Sequence, residues 1–255
     1  MAFAAGTQGN RVAYDITGEG DVDLVLIHGI TENRKFWDPL TAPFAETYRV
    51  IRVDLPGHGE SGPISKYGID DLAREVKAVV DEVGNGDPYV VGHSLGGYVA
   101  SVYAARYPVR AVVNIDQPLM LAAFKEQLEP AEEMLRGEAF GAVVGGMFEG
   151  FMAPLPDGEK ERINSMRRPD QDVVLGVWDP IFALTVEQLH ALVGELLAGI
   201  TAPYLAIHGI DLGPDYEPWL KSAIPQAEYE LWADSGHYPH LLHADRFVER
   251  VTAFA

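Results

Sequence analysis

Short apolar runs alternate with longer amphipathic stretches along most of this chain. Val22 to Ile27 is nearly continuously apolar, the pattern of a strand buried on both faces of a parallel sheet. Val50, Ile51 and Val53, then Tyr89 to Val91, Val109 to Ile115 and Pro203 to Ile207 repeat that pattern. Between these runs, Asp70 to Val83 places Leu72, Val76, Val79, Val80 and Val83 on one helical face, and Gly84 ends it. Asn33 to Tyr48 also has helical character, broken or kinked at Pro39 and Pro43. Residues 1–20 predict two short strands around a Gly9-Asn10 turn, with Val12, Tyr14 and Ile16 alternating with polar neighbours. Glu228 to Trp232 predicts a last strand, and Ala244 to Phe254 a closing helix.

Strands alternating with helices predict an α/β fold with a doubly wound, mostly parallel sheet. Sheets of this kind carry their sites at the carboxyl ends of the strands. His28, Asp54, Ser94 and Asp116 each fall just after an expected strand, so four chemically capable side chains share one rim. The alternation stops at residues 120–200. That stretch is mostly helical in pattern, with breaks at Pro130, Pro154-Leu155-Pro156 and Pro169 and one strand signal at Val173-Val174-Leu175. Glu187 to Leu197 is its clearest helix. Strand grammar then returns, so we expect residues 1–119 and 201–255 to form one core and residues 120–200 an inserted helical cap over the strand ends.

The stretch Gly92-His93-Ser94-Leu95-Gly96 fits G-x-S-x-G between a buried strand and a helix start. A nucleophilic serine there sits on a sharp turn, and the two glycines remove side chains that would collide as strand and helix approach. The free N–H groups of the helix start face the same point, which makes the Leu95 N–H a donor for a developing oxyanion. Five residues alone are weak evidence, since an ordinary strand–helix turn can match them. The apolar strand before and the small residues Gly97, Ala100 and Ala104 after favour the functional reading.

Composition narrows the remaining possibilities. The 255 residues are 47% hydrophobic and 22% charged, ordinary globular values. A net charge of -19 argues against nucleic acid and anionic membrane surfaces as partners. The chain has no cysteine, so thiolate chemistry and Cys-ligated metals are excluded. No signal peptide and no run of 18 apolar residues is visible, which sets a cytoplasmic location as the expectation. His240 and His243 sit three apart but have no third ligand at sensible spacing, so no metal is expected.

Four motifs in order give the chain a resemblance to the α/β-hydrolase fold family over nearly its whole length. They are His28-Gly29, Asp54-Leu55-Pro56-Gly57-His58-Gly59-Glu60-Ser61, the Gly92 to Gly97 elbow, and Ser235-Gly236-His237. The resemblance implies a triad in the order Ser94, acid, His237, and an oxyanion hole formed by the N–H groups of Ile30 and Leu95. It implies no cofactor. It places the acid after the strand that precedes the last one, which favours Asp211, although Asp211 is only two residues past Gly209 where the family has three. Some members carry the acid after the strand that follows the elbow helix, and Asp116 is that alternate.

The function expected from these residues is hydrolysis of a carboxylic ester or related small acyl substrate through an acyl-enzyme on Ser94. Alternatives on the same fold are lactone or carbon–carbon bond hydrolysis, perhydrolysis, or non-catalytic ligand binding. His28, His58 and Asp54 are expected to hold loops, and His93 to support the nucleophile. His208 is expected to be structural. Trp37, Trp178, Phe148, Phe151 and Phe182 fit either core or pocket lining. Oligomeric state is not encoded in any of these features.

Overall fold

A computed structural model describes residues 1–254. Eight strands form one sheet: β1 (Ala2–Ala5), β2 (Arg11–Thr17), β3 (Asp23–Ile27), β4 (Arg49–Val53), β5 (Tyr89–His93), β6 (Ala111–Ile115), β7 (Tyr204–His208) and β8 (Ala227–Leu231). Their spatial order is β1-β2-β4-β3-β5-β6-β7-β8. β2 pairs antiparallel with β1 and β4, and every pair from β4 onward is parallel. The strands β3, β5, β6 and β7 are buried at every residue, which is why their sequences run apolar instead of alternating. The outer strand β8 instead carries Glu228 and Glu230, both paired with Arg250, and so offers a charged edge.

Helices α1 (Asp38–Ala45), α2 (Ile69–Val83) and α3 (Leu95–Arg106) cover the sheet in the first half. α1 follows a short 3-10 turn at Arg34–Trp37, whose start is capped by the Asn33 side chain. α2 buries Leu72, Val76, Val79 and Val80, as its periodicity requires. It also buries Glu75, whose carboxylate takes hydrogen bonds from the Thr7 N–H at 3.0 Å and Asn10 Nδ2 at 3.0 Å and so ties down the β1–β2 turn.

Between β6 and β7 run six helices: α4 (Leu121–Leu128), α5 (Glu132–Arg136), α6 (Phe140–Phe151), α7 (Asp157–Met166), α8 (Gln171–Ala183) and α9 (Val186–Leu197). The strand expected at Val173-Val174-Leu175 is absent, because these residues lie inside α8. Asp170 caps that helix by accepting from the Val173 N–H at 3.1 Å. Val174, Trp178 and Ile181 then fall on one buried face, so helical periodicity overrides the β preference of two valines. The end of α7 and the residues after it grip the loop after β3. Asn33 Nδ2 donates to the Met166 carbonyl at 3.1 Å, Arg162 to that of Phe36 at 3.1 Å, and the Arg168 N–H to that of Thr31 at 2.9 Å. The chain closes with α10 (Tyr216–Ala223), α11 (Pro239–Leu242) and α12 (Ala244–Phe254). Among the described residues no single helix is long and apolar enough to cross a membrane.

Close packing makes some glycines irreplaceable and leaves others free. A Cβ on Gly96 would run into the backbone of Ile27, whereas one on Gly146, exposed in α6, meets nothing within 4 Å. We therefore expect Gly96→Ala to cost ~3 kcal/mol or more, through forced displacement of strand or helix. Gly146→Ala should instead stabilise by about 0.5–1 kcal/mol. Urea titration of both variants checks the contrast.

Buried histidines set the response to acid. Desolvation lowers His58 to about 3 and His208 to about 4, from 6.5, so both stay neutral in the fold while the unfolded chain takes up protons. The unfolded state then binds more protons below pH 6.5, and stability must fall as pH falls until the folded pKa values are reached. These two groups alone should remove about 4 kcal/mol between pH 7 and pH 5. Denaturation midpoints at those two pH values test this, and an unchanged midpoint would contradict it.

Candidate active site

Ser94 stands between β5 and α3 with φ 51° and ψ −126°, a conformation that L residues rarely hold and that costs ~1–3 kcal/mol. It persists because its surroundings over-determine it. The Ser94 N–H donates to the Ile115 carbonyl at 2.9 Å, and the Ser94 carbonyl accepts from Gly97 N–H at 2.7 Å. A Cβ on Gly92 would strike the Gly96 carbonyl, so only a glycine pair lets strand and helix approach this closely. The turn lifts the Ser94 side chain off the sheet and leaves it partly exposed.

The loop after β3 comes down beside it. A Cβ on Gly29 would lie 3.2 Å from the Ser94 Cβ. His28 shapes this loop: its Nε2 accepts from the Leu55 N–H at 3.0 Å, so its Nδ1–H donates to the Gly29 carbonyl at 2.7 Å. Among the described residues, neither the Ile30 N–H nor the Leu95 N–H donates to a protein acceptor. Asp54 organises the neighbouring loop, accepting from Arg34 N–H at 2.6 Å and Glu60 N–H at 2.9 Å and pairing with the Arg34 guanidinium. His58 is buried beside His28 and bonds the Pro56 carbonyl at 2.9 Å.

The carboxylate against His237 is Asp116, and the preference for Asp211 is corrected here. Asp116 Oδ2 lies 2.6 Å from His237 Nδ1, and its Oδ1 accepts from Gly209 N–H at 2.7 Å and Ile210 N–H at 3.2 Å. Asp211 is exposed and bonds its own loop, taking the Gly213 N–H at 2.8 Å. The physical reason lies in the loop after β7. Its first two N–H groups turn inward to Asp116, so the following residue, Asp211, is carried outward. Asp116 itself holds a left-handed φ of 50° at the end of β6, which aims its side chain across β7 towards His237. Burial pushes its carboxyl up. The His237 hydrogen bond and charge, with His208 and the Gly209 N–H, bring it net below the usual aspartate value, so it is ionised. With the Nδ1 proton directed at Asp116, His237 presents a free lone pair on Nε2.

A second buried carboxylate, Glu32, lies beneath the site and has no motif to announce it. Its Oε2 accepts from the Gly29 N–H at 2.9 Å and its Oε1 from the Tyr238 hydroxyl at 3.2 Å. His93 lies between it and His237: Nδ1 is 3.5 Å from Glu32 without a hydrogen bond, and Nε2–H donates to the His237 carbonyl at 2.9 Å. Burial raises the Glu32 pKa, but His93, His28 and the Gly29 N–H carry it net below the ordinary glutamate value. Glu32 thus ties the β3 loop to Tyr238, and His93 separately holds the backbone of His237.

The aromatic candidates separate. Phe151 packs on the His237 ring at 4.6 Å, and Phe148 stands 5.7 Å behind it. Trp37 is fully buried against Phe36 and His240, Trp178 packs on Phe124, and Phe182 lies under Arg136. His240 is buried among rings, His243 bonds Ser235 at 3.0 Å, and His208 lies 3.7 Å from Asp116 between Tyr216 and Tyr229. Among the described residues no cluster of three side chains could hold a metal ion.

Comparison with known proteins agrees with this geometry. The model of the Alpha/beta hydrolase family matches residues 24–250. A pimeloyl-[acyl-carrier protein] methyl ester esterase of Klebsiella pneumoniae (strain 342) is 30% identical, over 96% of this chain and 97% of that protein. Among solved structures, an N-acyl homoserine lactone degrading enzyme superposes with a TM-score of 0.82 at 26% identity, over 100% of both chains. The enol-lactonase from Burkholderia xenovorans LB400 superposes at 0.79, over 99% of both chains, and its 23% identity speaks to the fold alone. On the extent of the family match and of the similarity to the esterase, this chain belongs to the alpha/beta hydrolase family.

Proposed function

We propose that the protein is a serine hydrolase that cleaves a carboxylic ester through an acyl-enzyme on Ser94, with His237 as base and Asp116 as the acid of the triad. The observation that carries this reading is the Asp116–His237 contact at 2.6 Å, at the same strand rim as a strained serine. His237 Nε2 takes the Ser94 proton as Oγ attacks the ester carbonyl. The N–H groups of Ile30 and Leu95 are free to bind the oxyanion of the tetrahedral intermediate. As the intermediate collapses, His237 returns the proton to the departing alcohol. Water, deprotonated by His237, then attacks the acyl carbonyl and releases the carboxylic acid and Ser94. Asp116 stays ionised throughout, fixing the imidazole tautomer and stabilising the imidazolium.

Residues 120–200 act as the cap in this reading, supported by Phe151 on the His237 ring and by the bonds from Asn33, Phe36 and Thr31 to α7 and the residues after it. The esterase named above supplies the substrate class, an acyl ester. Lactones are internal esters, and the same steps open them. This reading places the reaction in the cytoplasm.

Kinetics on p-nitrophenyl esters test the roles. Ser94→Ala should lower kcat by ~10⁴–10⁶, because the three groups act as a unit. Asp116→Asn should lower it by ~10⁴ with the fold intact by circular dichroism. Asp211→Asn, on an exposed loop, should change it by no more than about 3-fold. Full activity in Ser94→Ala would overturn the mechanism, and a larger loss in Asp211→Asn than in Asp116→Asn would move the acid.

A further inference from the structure

Among the described residues three Arg or Lys side chains are buried: Arg34, Lys125 and Arg167. Arg34 meets Asp15, Asp54 and Glu60, and Lys125 meets Glu129. Arg167 is 8% exposed, yet among the described residues no carboxylate oxygen lies within 4.0 Å of it. The contrast holds within the cap as well. Lys125, Arg136, Lys160 and Arg162 each pair with an acid, and Arg168 reaches only carbonyls from the surface. A buried cation without a partner is costly, so its persistence asks what anion completes it.

Its surroundings point into the site. Nε donates to the Thr31 hydroxyl at 3.0 Å, and Thr31 follows Ile30 in the loop beside Ser94. The guanidinium lies 3.4 Å from the centre of the Phe148 ring, which fixes its plane. Phe148 leads to Phe151, and Phe151 to the His237 ring. Among the described residues Nη1 and Nη2 have no hydrogen-bond acceptor, and both remain open to solvent. Glu32 lies in the same region, but the Gly29 N–H and the Tyr238 hydroxyl already hold its oxygens. Burial works against the charge on Arg167, with Tyr238 and Glu32 favouring it only through space.

We propose that Arg167 is a specificity-determining residue that receives a carboxylate carried by the acyl part of the substrate, so that the preferred ester is a half-ester of a dicarboxylic acid. The inference rests on the esterase reading above and adds the charge of the substrate to it. An N–H on Nη1 and one on Nη2, lying in one plane, match the two oxygens of a carboxylate. A phosphate dianion would bring a second negative charge beside the ionised Glu32 with no further cation to meet it. The chain as a whole, at net charge -19, repels anions, so selectivity for one must come from this local cation.

The test compares p-nitrophenyl half-esters of succinate, glutarate, adipate and pimelate with their methyl-capped, uncharged counterparts. The wild type should prefer the acid of at least one length by ~10-fold or more in kcat/KM. Arg167→Gln should bring that ratio to about 1, mainly through KM, and Arg167→Lys should retain part of it. A latch that merely holds the cap would lower both substrates together and leave the ratio unchanged, which overturns the proposal. Thr31→Val removes the hydrogen bond but not the charge and should keep the ratio. Wild-type inhibition supplies a readout independent of how the variants fold. Glutarate should compete with the neutral ester, while glutaramide and inorganic phosphate should not, and equal inhibition by phosphate would overturn the carboxylate assignment. Turnover of neutral esters without any charge preference overturns this inference alone, whereas no turnover of any ester overturns the esterase reading as well.

Discussion

Asp116 sits where the ends of β6 and β7 meet the loop that carries His237, and it is buried, ionised and held in left-handed backbone. A carboxylate in that position is tolerable only while both oxygens are satisfied. One is met by two N–H groups of the β7 loop and the other by His237. The same bonds that keep the charge stable therefore draw the loop after β7 against the loop after β8. Their contact is close: a Cβ on Gly209 would strike the Gly236 carbonyl. Catalytic geometry and local stability depend on one set of hydrogen bonds, so neither can be relaxed alone.

Strain gathers at the same rim. Among the described residues four other than glycine have positive φ, and three of them, Thr31, Ser94 and Asp116, border the site. Each is held by bonds to neighbouring elements rather than by its own preference. Thr31 is gripped by Arg167 and by the Arg168 N–H from the residues after α7, Ser94 by β6 through Ile115, and Asp116 by β7 through Ile207. Glu32 performs the corresponding task below, joining the β3 loop to Tyr238, while His93 fixes the backbone of His237. The sheet thus supplies rigid strand ends, and a few buried polar groups set where the loops go.

What the sequence made legible follows from which constraints are local. The elbow was readable because steric contact between a strand and the helix that follows it acts over five residues and permits only glycine at two of them. The buried parallel strands were readable because burial on both faces removes polar residues from the run. The carboxylate that meets His237 was not, because Asp116 and Asp211 have the same local setting, each just after a strand at the same rim. What separates them is an interaction across strands, the turning of the Gly209 and Ile210 N–H groups towards β6. Val173 and Val174 misled for a related reason, since their β preference is local and the Asp170 cap together with a buried helical face outweighed it. Glu32 and Arg167 gave no signal at all. Charged residues are mostly exposed, and only the fold reveals that these two are enclosed.

The central claim is that Ser94 becomes covalently acylated, and the acyl-enzyme itself is the most direct measurement. The protein is mixed with a p-nitrophenyl ester, quenched in acid during turnover, digested and mapped by mass spectrometry. The account predicts the mass of the acyl group on the peptide that contains Ser94, with its amount reduced in a His237→Ala variant. An acyl group on any other residue, or turnover with no adduct on Ser94 even at the earliest quench and under slowed deacylation, would contradict it.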